Sequence, residues 1–168
     1  MYYQNPQQMY GRMPSRAFAE IRGSNLAPDL NGYAVFMEVP YGTEVFVELS
    51  GLPNYEPAQG DENPIGPHGF HIHEHGTCEI GDPEDPFQQA GEHWNPDNQP
   101  HGHHAGDFPV LFSNNGYARM SFFTHRFRPE DIIGRTVLIH QNPDDYRTQP
   151  AGDSGKRIGC GVIQGFEY

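Results

Sequence analysis

The chain carries ten histidines in 168 residues, and all but one of them lie between His68 and His125. His71 and His73 are spaced i, i+2, so on a strand both imidazoles project from one face and can hold one ion from a rigid support. Further along come His93, His101, His103, His104 and Asp107. Three or four of these, with the carboxylate, form a donor set that suits the tetrahedral preference of zinc. His140 stands at the end of a later apolar run, where a single histidine taken alone has no assigned task. A purification tag would be a contiguous terminal run, and none is present. Metal binding is the chemistry these residues point to.

The elements that must position them read as β-structure. Apolar residues recur with period two over most segments. Strands are predicted at Ala17–Arg22, Tyr33–Val39, Thr43–Leu49, Phe70–His73, Val110–Phe112, Tyr117–Phe123, Thr136–His140 and Cys160–Phe166. Pro40-Tyr41-Gly42 and Asn114-Asn115-Gly116 supply the turns between their neighbours. Residues 76–109 and 141–157 are rich in turn formers and lack periodicity, so two long functional loops are expected. The expected fold is all-β: an eight-stranded Greek-key β-barrel or sandwich without a helix. Residues 1–15 read as a flexible N-terminal tail and 16–168 as one domain.

With 20 Gly and 16 Pro the chain is loop-rich, which argues against a helical bundle. The net charge of −12 disfavours nucleic acid and anionic membrane, both of which require clustered Lys and Arg. No apolar run approaches bilayer-spanning length, so no membrane span is expected. No positive segment followed by an apolar stretch opens the chain, so no signal peptide is visible. Cytoplasm, a cell or spore surface, and export with the signal removed all stay open. Cys78 and Cys160 are too few for a four-thiolate site. They are either two unrelated thiols or one bridge closing a long loop.

Several segments in order resemble the copper/zinc superoxide dismutase family. Gly69-Phe70-His71-Ile72-His73-Glu74-His75-Gly76 is similar to its copper-binding strand. Gly91-Glu92-His93-Trp94-Asn95-Pro96 resembles the segment carrying the bridging histidine, and His104-Ala105-Gly106-Asp107 its last two zinc ligands. Gly134–His140 resembles the strand with the last copper ligand, and Gly155–Ile163 the C-terminal segment. The resemblance spans roughly residues 17–168 and implies the β-barrel fold. It implies His71, His73, His93 and His140 as copper ligands, and His93, His101, His104 and Asp107 as zinc ligands, with His93 shared. Asp144 would link His71 to His101 from outside the ligand set, and Cys78 and Cys160 would form a disulfide.

The implied activity is dismutation of superoxide to dioxygen and hydrogen peroxide, with Arg157 guiding the anion and His93 supplying a proton. The family pairs in different ways, so a homodimer is a possible assembly. One departure concerns zinc: only Gly102 and His103 separate His101 from His104, so His103 could take a neighbour's place. His68, His75 and His125 have no implied role and read as surface residues; Lys156 and Arg147 are candidate steering charges. The competing readings are a metal-binding or coat-type protein on the same barrel without turnover, and a zinc hydrolase. The hydrolase lacks a His-Glu-x-x-His pattern.

Overall fold

The computed structural model describes Met13 and residues 15–166; the expected tail, apart from Met13 and Ser15, lies outside the described residues. Seven strands form one antiparallel sheet: β1 (Arg16–Gly23), β2 (Asn31–Val39), β3 (Gly42–Ser50), β4 (Phe70–His73), β7 (Ala118–Thr124), β8 (Thr136–His140) and β9 (Arg157–Gly165). A separate two-stranded hairpin, β5 (Gly81–Asp82) with β6 (Asp85–Pro86), lies inside the first long loop. The strand order is β4-β8-β9-β1-β2-β3-β7. β1 to β3 form a meander and β9 returns to lie beside β1, a Greek-key arrangement.

Period two decides which side chains enter the barrel. Ala17, Ala19 and Ile21 of β1, Ala34 and Phe36 of β2, and Val45, Val47 and Leu49 of β3 are buried in one core with Phe70, Ile72, Val137 and Ile139. β4 and β8 differ from these strands, because every residue in both is buried. One face of each, Phe70 and Ile72 in β4 and Val137 and Ile139 in β8, meets the barrel core, and the other face is roofed by the two loops.

Two details depart from the sequence-based expectation. Val110–Phe112 makes only one isolated bridge, Leu111 to His68, because β4 does not extend far enough to give it a partner strand. Short 3₁₀ turns occur at Gln88–Ala90 and Pro129–Ile132, the latter opened by Pro129 and by the backbone N–H of Arg128, which donates to Asp131 Oδ2 at 2.8 Å. Both hairpin turns form as read: Tyr41, Asn115 and Gly116 all have positive φ.

Candidate metal centre

The site is built on the free edge of β4. His71 and His73 project from the face opposite Phe70 and Ile72, as i, i+2 spacing requires. The first loop then pairs with that edge in two places, His73 with His93 and His71 with Asp107. Trp94 N donates to Ile72 O at 2.8 Å, and Ile72 N donates to Gly106 O at 2.9 Å. Gly106 is required at that approach, since a Cβ would press on the Ile72 carbonyl. These main-chain bonds carry His93 and Asp107 to the β4 histidines. From the next strand, His140 joins them through its N–H to Gly69 O at 2.8 Å.

Two donor groups result, each with its ligand atoms within 4.8 Å of one another: His71, His73, His93 and His140, and His93, His101, His104 and Asp107. All seven side chains are buried, and His93 belongs to both groups.

Five of the six rings, all but His104, have one nitrogen held by the protein. His71 Nε2 lies 2.7 Å from Asp144 Oδ2, and His101 Nε2 lies 2.8 Å from Asp144 Oδ1. His73 Nδ1 donates to Gly91 O at 3.0 Å, and His140 Nδ1 donates to Gly155 O at 3.3 Å. A carbonyl oxygen only accepts, so these rings carry their proton on Nδ1 and present a bare Nε2. The two bare nitrogens of His73 and His140 lie 3.3 Å apart, lone pair towards lone pair. His71 Nδ1, His93 Nε2, His101 Nδ1 and His104 Nδ1 are buried without a hydrogen-bond partner. Unpaired acceptors in a dry interior are costly, and cations at the two centres would satisfy all of them. The residues present therefore fit two metal ions.

Electrostatics agree. Burial, followed by the neighbouring imidazoles, lowers the pKa of His71 and His73 well below 6.5 and that of His140 to about 3. The rings are thus neutral and ready to ligate. For Asp107, burial alone would raise the pKa. The His93 hydrogen bond and the imidazoles of His93, His101 and His104 outweigh it and lower the pKa overall. Its Oδ1 lies 2.9 Å from His93 Nδ1, while Oδ2 accepts from the backbone N–H of Gly102 and His104.

His103 lies outside both groups. It is exposed, and its Nδ1 is 3.5 Å from Arg126 Nη2. Asp144 is fully enclosed, and Gly152 with φ 68° passes it so closely that a Cβ would strike both Asp144 and His101. Arg157 pairs with His140 across β8 and β9 and donates to Phe87 O at 2.9 Å and Gly91 O at 2.7 Å. Burial lowers its pKa, with the Glu92 and Asp85 carboxylates acting in the opposite direction. Cys78 and Cys160 are bonded as a disulfide across 82 residues, beside Phe87, Ala90 and Leu138. That small apolar cluster seats the loop carrying Gly91 against the barrel.

The expectation of surface histidines is corrected for His68. It is completely buried, and its Nδ1 donates to the carbonyl oxygen of His140 at 3.0 Å. Its proximity to His140 depends on a fold contact across 72 residues, which no local pattern announces. His75 and His125 are exposed, as expected. Arg126 was also not singled out from sequence. Its Nη1 donates to His104 O at 2.7 Å and so steadies the shortened loop. Arg135 lies over the Trp94 ring at 4.6 Å, bracing the residue after His93.

Residues 30–163 match the family described as copper/zinc superoxide dismutase. The chain is similar to the Cu-Zn superoxide dismutase of Deinococcus radiodurans, 38% identical over 152 residues, covering 80% of this chain and 78% of that protein. It is 34% identical over 141 residues to the Cu-Zn superoxide dismutase of Legionella pneumophila, covering 79% and 77%. It is 32% identical over 164 residues to the second Cu-Zn superoxide dismutase of Aquifex aeolicus, covering 89% and 86%.

Proposed function

This chain belongs to the copper/zinc superoxide dismutase family, and on that premise we propose that His71, His73, His93 and His140 hold the copper and that His93, His101, His104 and Asp107 hold the zinc. The protein is an enzyme that dismutates superoxide to dioxygen and hydrogen peroxide, with copper and zinc as its metals. The observation that supports the residue assignment best is the double membership of His93, whose two ring nitrogens face the two donor groups.

Copper bound there supplies a one-electron couple, taking an electron from one superoxide and returning it to a second. Zinc has no redox chemistry and supplies charge and a fixed tetrahedral geometry. The protein's own residues do the rest. His93 borders a cavity of about 340 Å³ that also reaches His140 and Arg157. Forming hydrogen peroxide consumes two protons, and His93 Nε2 is the atom placed to hold one of them and deliver it into that cavity. Two cations sharing this imidazole would favour loss of its proton at neutral pH.

Arg157 offers a permanent positive charge at the floor of the cavity, held in place by the Phe87 and Gly91 carbonyls. Asp144 orients His71 and His101 together, so it ties the geometry of one donor group to that of the other. As a partner beyond the substrate we propose a second copy of this chain. The exposed Tyr33, Met37 and Phe123 on the outer face of β2 and β7 support it, and sedimentation equilibrium tests it. The charge balance argues against nucleic acid as a partner.

Elemental analysis and superoxide consumption on the purified, metal-loaded protein test this assignment together. One copper and one zinc per chain are expected, with consumption far above that of an equal concentration of buffer-bound copper. A protein that holds neither metal, or consumes superoxide no faster than that control, would overturn it.

A further inference from the structure

We propose that the mouth of the substrate cavity repels the anion it admits, and that Glu92 sets the size of this repulsion. The inference rests on the dismutase reading of the site and concerns the approach to it.

The charged residues lining the cavity are Glu92, Asp153 and Arg157, two anions against one cation; Gln88, Thr148 and Gln149 add only dipoles. Their depths differ. Arg157 is buried and its guanidinium is committed to two carbonyls, whereas Glu92 and Asp153 are exposed. An incoming anion meets the carboxylates first and the guanidinium last. Asp153 is held in place by Asn63, whose side-chain N–H donates to it at 2.7 Å.

Glu92 is anchored from both sides of its backbone. Its carbonyl accepts from Glu74 N at 3.1 Å, and its N–H donates to Glu74 Oε2 at 3.3 Å. This pairing fixes the Glu92 backbone next to His93; Glu74 itself does not line the cavity. Asp85 is also within electrostatic reach of Arg157. The exposed cations Lys156 and Arg147 of the second loop do not line the cavity.

Electrostatic steering of the anion is a known property of this family. Here the charged side chains lining the cavity are two carboxylates and one guanidinium, with the carboxylates exposed. Bound metal ions would add positive charge at the floor, which retains an anion that has arrived and does less for one still outside. The net charge of −12 acts in the same direction as the rim at low ionic strength. Beyond about 8 Å it is screened at physiological salt, leaving the lining residues in control. One unit charge roughly 7 Å from the path, in water, changes the local anion concentration about threefold.

The test uses copper- and zinc-loaded wild type, Glu92→Gln and Glu92→Asp. It measures kcat/KM for superoxide, and azide affinity from the visible absorption of the copper, as a non-coordinating salt is raised from about 10 to 200 mM, which shortens the Debye length from roughly 30 to under 10 Å. In wild type both quantities should rise with salt. Glu92→Gln should raise both about threefold at low salt and flatten the dependence. Glu92→Asp, which keeps the charge, should track wild type. Values that fall as salt is added to wild type, or a Glu92→Gln protein indistinguishable from wild type, would overturn the proposal. A Glu92→Asp protein that behaves like Glu92→Gln would overturn it as well, by assigning the effect to shape. Azide reads the cavity without turnover, so a copper-loaded chain that binds azide as expected but consumes no superoxide refutes the dismutase reading alone.

Discussion

His140 and Arg157 face each other across β8 and β9, one residue beyond a register shift between Ile139 and His140. Before the shift Leu138 pairs with Cys160 and Ile139 with Gly159. Regular pairing would put Ile158 opposite His140. The extra residue instead sends Ile158 into the barrel core and turns Arg157 onto the face that bears the histidines. A bulge that redirects one side chain is a usual device beside a reaction site.

Arg157→Ala should therefore lower kcat/KM about tenfold or more, the loss of one buried charge-assisted contact. Copper and zinc content should stay near wild type, since Arg157 is in neither donor group. Arg157→Lys should recover part of the rate through its charge, but not the double hold on Phe87 O and Gly91 O. Loss of copper in the Ala variant would move Arg157 from guiding the anion to building the site.

Replacing His93 and replacing His140 should have different consequences. His93→Ala removes a donor from both groups, His140→Ala from one. Elemental analysis should find both metals depleted in the first variant and copper alone in the second. Equal zinc loss in both would count against His93 as the shared ligand.

Asp144→Asn retains the size of the side chain but takes away a carboxylate that accepts from two rings. Affinity for both metals should fall about 10- to 100-fold, the range typical of losing such a support. Competition with a chelator, with copper and zinc followed separately, measures it. An effect limited to one metal would show that the two rings are positioned independently.

Removing the disulfide with Cys78→Ser and Cys160→Ser should destabilise the chain by about 4 kcal/mol, from the entropy of freeing a closed loop of this length. The loop carrying Gly91 O then loses its anchor, so His73 and Arg157 should lose positional order along with stability. Denaturant midpoints and the copper spectrum report the two effects. An unchanged midpoint would mean that the Phe87, Ala90 and Leu138 contacts suffice.

Stripped of metal, the protein should weaken in mild acid. His71, His73 and His140 have folded pKa values below 6.5, with His140 at about 3, because burial penalises imidazolium. The unfolded chain takes up these protons near 6.5, so their contribution is complete above that pH. It is lost progressively as pH falls towards about 3, by roughly 1.4 kcal/mol per pH unit for each proton. Urea midpoints of the metal-free protein at pH 7.5 and 5 should differ in that direction. Equal midpoints would mean that the rings titrate normally and are open to water.

Much of this molecule is legible along the chain. The period-two pattern in Ala17–Arg22 and Thr43–Leu49 reports strands with one dry face, because side chains alternate at every residue of extended backbone. His71 and His73 share a face for the same reason. Val110–Phe112 shows where such reading stops: an apolar triplet has strand character, but a strand also needs a partner of matching length, and His68 offers only one residue of pairing. His68 itself looked like a surface residue because its burial comes from contacts distant in sequence.

What the order of residues determined alone was the inventory: which side chains can donate to a metal, which segments extend, and where the chain turns. The tertiary structure decided which nitrogen of each ring stays bare, since a tautomer follows the acceptor opposite it, and Asp144, Gly91 O and Gly155 O arrive from other segments. It also decided, through one extra residue in β9, that a guanidinium and not an isoleucine looks onto the histidines. Both outcomes depend on hydrogen-bond register between separate strands and loops, a property of paired backbones that no single stretch of sequence contains.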